Sequence, residues 1–420
     1  MAETRTGPRL AGHPSAAKTA MAAPRILTVN GGSSSIKFAV YPVGAGKPDD
    51  RPELSGSMEG IGTHRCRLKA VDAASRLICS KKVHARNHHH AAKVMVEFLR
   101  ATLLSSSISA VGHRVVHGGI HLNRHTRITA GIIRELKQSV PLDMAHLPRE
   151  IILIESMIAA YPGAMQVACL DTAFHRTLPP VARLYAIPRK FARQGLRRYG
   201  FHGLSYSFLM EELRRMTPAK AKGRVILAHL GSGASMAAVS NGRPVDTTMG
   251  FTPVAGLVMA TRPGDLDPGL LVHLMRRLAL SPAAAERFIN EDCGLKAVSG
   301  RTGDMRDLHR LARRDAACRE AVALFCRRAR GAIGALAAEM GGLDILVFSG
   351  GIGENDAMVR RSICRNLDFL GVRLASSANN KASRIVSQPS SRVLVCVIPT
   401  DEEKMIAAIV RRHLRSRRLR

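Results

Sequence analysis

The chain has 420 residues, 63 of them Lys or Arg against 32 Asp or Glu, for a formal net charge of +31. Its 46% hydrophobic content is enough to build packed cores, which excludes a disordered chain, and its length predicts about two to three domain-sized cores. No apolar run approaches the ~18 residues of a bilayer span, since the richest, 151–165, is broken by Glu155, Pro162 and Gly163.

Residues 1–24 hold Pro, Ala, Gly and basic residues without an apolar h-region, so they read as a disordered leader and not as a secretory signal. Met21 is an alternative start. After it, β-rich runs recur at 26–30, 110–116, 166–171, 225–229, 344–349 and 392–398, and helix-like stretches at 91–104, 147–160, 267–279, 305–340 and 402–415. Strands alternating with helices predict an α/β fold, with ligands at the polar strand ends. His88-His89-His90 lacks a second cluster of metal ligands and reads as a solvated turn. The segments 26–36 and 226–236 echo each other: strand, Gly/Ser turn, second apolar run. Two related lobes, or a chance likeness of two Gly/Ser hairpins, would both produce that echo.

The eight cysteines are scattered and form no C-x-x-C pair. A reduced, cytoplasmic protein is expected. Aromatics are only 4% and Trp is absent, so bases have few stacking platforms. The positive charge therefore points to an enzyme of anions with a basic surface and not to a nucleic-acid binder.

The motifs follow the strands. Asn30-Gly-Gly-Ser-Ser-Ser-Ile-Lys37 permits close phosphate approach, with Lys37 as a point charge, but lacks Walker A spacing. Arg114 lies in an apolar strand and needs an anionic partner, either an internal carboxylate or a substrate. Asp171 ends a strand, where it suits a metal or a helix cap. His202 lies near glycines on both sides in Tyr199-Gly-Phe-His-Gly203, a close-approach site for phosphate oxygens. Arg262 sits on a turn, Gly351–Asn355 follows an apolar strand, and Glu402 or Asp401 opens the last helix, where either could simply be a cap. Phosphate loops, isolated arginines, one histidine and two strand-end carboxylates are together the parts of phosphoryl transfer.

In this order, NGGSSSIK, GHRVVHGG, DTAFH, RRYGFHG, HLGSGAS, VDTTMGFTP, TRPGD, SGRTGDMRD, FSGGIGEN and VIPTDEE over about 25–410, the sequence resembles the acetate kinase family of the actin/hexokinase/Hsp70-like superfamily. The resemblance implies an α/β protein of two actin-like (ribonuclease H-like) lobes with an interlobe active-site cleft. The first lobe would span 25–170 plus the returning helix 402–420, and the second, nucleotide-binding lobe 171–401. It implies Mg²⁺-dependent (or Mn²⁺-dependent) reversible transfer of phosphoryl from ATP to acetate, direct and in line, giving acetyl phosphate and ADP, in a homodimer. Propionate or butyrate kinase, or a weakened basic binding protein on the same fold, are the alternatives.

By the same resemblance Asp171, His202 and Arg262 are catalytic, and Asn30 and Glu402 serve the metal. Arg114 with Val116, Leu142, Phe201 and Pro253 receives the short carboxylic acid. Ser33, Ser35 and Lys37 approach the phosphates. The nucleotide falls to His229, Leu230, Gly231, Ser232 and Gly233, to Asp304, Met305 and Arg306, and to Gly351, Ile352, Gly353, Glu354 and Asn355. The chain departs from the family pattern at Asp143, where the family has an active-site histidine, with His146 three residues on. It departs again in His229-Leu-Gly-Ser-Gly233, where the family reads HLGNG, and in His202-Gly-Leu-Ser-Tyr206, where it reads HGTSH.

Overall fold

The computed structural model describes residues 23–44, 51–103 and 108–418. All but the last two residues of the expected leader, and the final two of the basic tail, lie outside the described residues. The strands are β1 Arg25–Gly31, β2 Ser35–Pro42, β3 Leu54–Glu59, β4 Arg67–Asp72, β5 Leu77–Lys82, β6 Ile108–Val115, β7 Thr126–Arg127, β8 Met165–Leu170, β9 Arg224–Leu230, β10 Ala234–Ser240, β11 Arg243–Thr247, β12 Ile345–Ser349 and β13 Leu394–Val397. They form an eight-stranded sheet, β5-β4-β3-β2-β1-β6-β8-β7, and a five-stranded sheet, β11-β10-β9-β12-β13.

The two sheets repeat one plan. β3-β2-β1 and β11-β10-β9 are antiparallel meanders, and β1-β6-β8 and β9-β12-β13 are parallel. The echo at 26–36 and 226–236 is thus the same hairpin in both sheets, closing at Gly31 opposite Ile36 and at Leu230 opposite Ala234.

Helices Gly203–Met216 and Glu402–Arg418 lie between the sheets. Tyr206, Leu209, Ile406 and Val410 join Ile26 and Val167 of one sheet to Val225 and Val347 of the other in a single apolar core. Because helices cover the outer faces too, β1 and β9 are buried along most of their length, and their continuous apolar runs follow from that. Helix Leu147–Ala160 appears where the periodicity predicts it, with Pro148 in its first turn and Ile151, Leu153, Ile154 and Met157 turned inward. Each such side chain contributes about 1.5–3 kcal/mol through burial.

Two expectations are corrected. The stretch 305–340 is two helices, Met305–Leu311 and Ala316–Glu339, because Asp315 caps the second by accepting from the Cys318 N–H at 3.3 Å. His88–His90 is no solvated turn but the start of helix His88–Thr102, capped by Asn87, and His88 is buried. Strands β3–β5 and helix Gly203–Met216 were not legible as elements, the helix because Gly203, Ser205 and Ser207 blur its apolar period.

Candidate active site

The parallel strands of both sheets point their C-terminal ends at one place. Asn30 lies near the end of β1, Arg114 near the end of β6, and Asp171 just past β8. His229 lies near the end of β9, and Glu402 follows β13 after a short turn. This is where open α/β sheets hold ligands.

Arg114 is the hub. Its Nη2 donates to Asp171 Oδ2 at 2.6 Å and its Nε to the same oxygen at 3.1 Å. Its Nη1 reaches Asn30 Oδ1 at 3.4 Å, and its Nε lies 3.9 Å from Glu402 Oε2. Burial alone would lower the guanidinium pKa, but the Asp171 and Glu402 charges hold it above its ordinary value. Burial also pushes the Asp171 carboxyl up, against the pull of Arg114. Asn30 Nδ2 donates to Glu402 Oε2 at 2.9 Å and to Glu403 Oε1 at 3.1 Å. Asp401, whose Oδ1 accepts the Lys404 N–H at 2.8 Å, is the cap of the last helix, which leaves Glu402 for the site.

Glycine makes the close packing possible: a Cβ on Gly203 would meet the Asp171 carbonyl oxygen at 2.0 Å. That contact sets His202, in a left-handed conformation at φ 57°, beside Asp171 at the head of its helix. The His202 and His229 rings stack with centroids 4.3 Å apart. Each is held by a hydroxyl wire. Among the described residues the Tyr206 hydroxyl has Ser235 Oγ as its hydrogen-bond partner, and Ser235 Oγ lies 2.8 Å from His202 Nδ1. In parallel, Thr400 Oγ1 donates to Ser205 Oγ at 2.8 Å, and Ser205 Oγ lies 2.9 Å from His229 Nδ1. If each hydroxyl donates down its wire, both Nδ1 atoms accept and the ring protons sit on the two Nε2 atoms. Those Nε2 atoms face the glycine turn, 3.3 Å from a Cβ position at Gly233 and 3.9 Å from one at Gly231. Burial, then the charges of His229, Arg114 and Arg262, lower His202 well below the ordinary histidine pKa, so its ring is a neutral donor. These wires were invisible in the sequence because Tyr206, Ser235 and Thr400 are distant in the chain. Ser235→Ala is expected to lower kcat about tenfold, as read by steady-state kinetics, because the His202 tautomer is no longer fixed.

Arg262 Nη1 donates to the Pro253 carbonyl at 2.9 Å and approaches Met259 Sδ at 3.6 Å. It lies within electrostatic reach of Arg114 and Asp143. Val116 and Phe201 are buried in one apolar cluster, and the Val116 N–H donates to both Glu150 oxygens at 3.2 and 3.0 Å. Leu142 ends a short 3-10 turn beside Asp143. Asp143 Oδ1 binds His146 Nδ1 at 2.8 Å, and its Oδ2 is buried without a partner among the described residues.

Lys37 stands opposite Asn30 in register and within electrostatic reach of Glu402 and Glu403. Ser33 lies in the β1–β2 turn and Ser35 at the start of β2, and the Gly32 N–H closes the turn on the Ser35 carbonyl at 2.8 Å. His88 steadies this turn, its Nε2 being 2.9 Å from the Gly32 carbonyl oxygen.

In the second sheet's loops several side chains are already engaged. Asp304 caps its helix and pairs with Arg306 at 2.6 Å, and Met305 is buried in the core. Leu230 is buried on β9, Gly231 N–H bonds Gly233 O, and Ser232 O accepts from Ala260 N–H at 3.0 Å. Gly351 O accepts from Asn355 Nδ2 at 3.0 Å, while Ile352 and Gly353 form the body of helix Gly350–Asn355. Glu354 Oε1 accepts from the N–H groups of Gly350 and Thr400, tying this helix to the last strand's end. Fully buried Arg360, which the motifs did not reveal, donates to the carbonyls of Gly353, Glu354 and Asn379. A cavity of about 920 Å³ opens elsewhere on the second sheet, and none of these residues lines it.

Two lobes of one repeated plan, with strand-end cations, carboxylates and glycine turns meeting between them, define a phosphotransferase of the actin-like class. The chain belongs to the Acetokinase family, whose model matches residues 25–408. It is 45% identical over 386 residues to the acetate kinase of Nitrobacter hamburgensis, covering 91% of this chain and 94% of that protein. The crystal structure of Porphyromonas gingivalis acetate kinase superposes with a TM-score of 0.82 at 34% identity, covering 93% of this chain and all of that one. A propionate kinase from Francisella tularensis gives 0.84 at 33% identity, covering 91% and 98%.

Proposed function

We propose that this chain transfers phosphoryl reversibly between ATP and acetate, giving ADP and acetyl phosphate. The observation that carries the reading is the Arg114 guanidinium, which spans Asn30, Asp171 and Glu402 and lies within electrostatic reach of His202 and Arg262. A carboxylate is already a nucleophile, so the protein's task is to orient it and to neutralise charge on the passing phosphoryl. Arg114 and Arg262 would hold the acid and the equatorial phosphoryl oxygens. The Nε2–H of His202 would donate to those oxygens, and Val116, Leu142, Phe201 and Pro253 would enclose the methyl group.

The family requires Mg²⁺, and the donor set suits it. Asp171 Oδ1 is buried with no partner among the described residues, and Asn30 Oδ1 and the Glu402 carboxylate are hard oxygens that share the Arg114 guanidinium with Asp171. Among the described residues no group of three or more His, Cys, Asp or Glu could hold a metal by itself. That is the pattern for an ion bound through one or two carboxylates and substrate phosphates. Bound there, Mg²⁺ would withdraw charge from the nucleotide phosphates. Lys37, with the turns at Ser33–Ser35, His229–Gly233, Asp304–Arg306 and Gly351–Asn355, would receive the nucleotide, the last three chiefly through backbone groups.

We take 25–170 with the last helix as the first lobe and 171–401 as the second, since each range carries one copy of the sheet plan. We also propose a cytoplasmic homodimer. In support, all eight cysteines are free, no described helix is long and apolar enough to cross a membrane, and Val181, Leu184 and Ile187 are exposed along one connecting segment.

The test is ADP formation with MgATP and a panel of acetate, propionate and butyrate. Acetate is expected to give the highest kcat/KM. Preference for a longer acid would move the reading to a propionate or butyrate kinase, and no turnover on any would end it. Arg262→Ala is expected to lower kcat about a hundredfold while raising the KM for acetate less than about fivefold, because the charge it meets develops in transfer. Unchanged kinetics would remove Arg262 from the chemistry.

A further inference from the structure

Away from the strand ends, a second cavity of about 660 Å³ lies between the lobes. It is lined by Arg124, Arg176, Arg214, Arg243 and Arg412, with His125 and His413. Among the described lining residues one carboxylate faces them, Glu211, already 3.9 Å from Arg215 and 4.0 Å from Arg412. A solvated basic face is usually a local run of charge. Here the five arginines come from five separate parts of the chain: the loop before β7, the turn after Asp171, helix Gly203–Met216, the start of β11 and helix Glu402–Arg418. Convergence of guanidinium groups in a concavity without matching acids is the arrangement that multidentate anion recognition needs. Burial first, and then the charges of Arg412, His413 and Arg176, push the His125 imidazole down to about 4.

The cavity is wired to the catalytic end. The turn that begins at Asp171, the helix that follows His202 and the helix that starts at Glu402 all run from the active site to this cavity. His125 Nδ1 accepts the N–H of Leu170, the residue before Asp171, at 3.1 Å.

We propose that this cavity is an effector site for a small polyanion carrying at least two ionised phosphate or carboxylate groups. A ligand there bridges the first lobe's loop, the second lobe's β11 and both interlobe helices, and so biases how the lobes sit about the active site.

The test uses the full chain with ADP saturating, so that the nucleotide site is filled, and inorganic tripolyphosphate or citrate as titrant in a calorimeter. One binding event is expected, weakened at least about tenfold by Arg214→Gln with Arg243→Gln and by raising the salt from about 50 to 200 mM. Both side chains are exposed and have no polar partner among the described residues, so folding should survive. Either single variant serves if the double does not express. Stronger binding of tripolyphosphate than of citrate assigns the site to phosphates, and the reverse to carboxylates. No binding to the ADP-saturated chain, or equal binding by the variants, overturns the site. The anion is also expected to change the parent's KM for ATP at least about threefold at fixed free Mg²⁺, and not the variant's. Binding without that change overturns the effector role.

Discussion

Asp171→Asn is expected to lower kcat by about 10²–10³ while leaving the chain folded. The side chain is fully buried, and its Oδ2 takes two donors from Arg114. An amide of the same shape removes the negative charge and presents an N–H₂ or a neutral oxygen to that guanidinium. Breaking one partner of a buried pair costs about 3–5 kcal/mol. Glu402 lies 3.9 Å from Arg114 and takes up part of that loss, which keeps the fold standing but draws the guanidinium off its axis. Losing one properly placed charge-stabilising group in the transition state costs about 10²–10³ in kcat, or about 2.7–4 kcal/mol. The substitution also weakens the set of oxygens offered to Mg²⁺, so the concentration of Mg²⁺ for half-maximal rate is expected to rise. A kcat within tenfold of the parent, with an unchanged melting temperature, would show that Asp171 neither holds Arg114 nor serves the metal.

The legible part of this site is the part that local sequence dictates. Asn30, Arg114, Asp171 and Glu402 each follow an apolar run, and a polar group at a strand's end has few structural reasons to be there. The hairpin echo likewise survives in the sequence because Gly/Ser turns have strict conformational needs. What was not legible arises from approach in space. Tyr206 and Ser235 are 29 residues apart and carry no pattern of their own. His88 reads as a polar triplet until the β1–β2 turn offers it a carbonyl. The converse is as instructive. Met305, Arg306 and Glu354 match the family's nucleotide motifs, yet their side chains are taken up by the core, by Asp304 and by a pair of backbone N–H groups. A motif fixes where a loop goes, and the loop's side chains then answer to their nearest neighbours.

The same burial that tunes the site makes the molecule sensitive to acid. Three buried histidines, His113, His117 and His175, are pushed down to about 4, in each case first by burial. Of their hydrogen bonds, that of His117 requires a neutral nitrogen, while those of His113 and His175 offset only part of the burial. His113 meets Gln166, His117 Nδ1 accepts the Gly119 N–H, and His175 Nε2 meets the Phe201 carbonyl. The remaining nitrogen of each is buried with no hydrogen-bond partner among the described residues. An unfolded imidazole titrates near 6.5, so between pH 6.5 and 4 the unfolded chain binds these protons and the folded chain refuses them. Stability is therefore fully present above pH 6.5 and is lost as pH falls toward 4, by up to about 3 kcal/mol for each ring. Glu150, which burial raises well above the ordinary range, works the other way and offsets part of this. A net loss on the order of 5 kcal/mol is expected by pH 4, a large share of a typical 5–15 kcal/mol. Urea unfolding at half-unit steps from pH 7 to 4 measures it, and His175→Gln, which keeps a donor toward Phe201, is expected to make the slope shallower. A flat stability profile across that range would mean that these rings take up protons in the folded state, and that the interior around Asp171 and Phe201 is wetter than its packing implies.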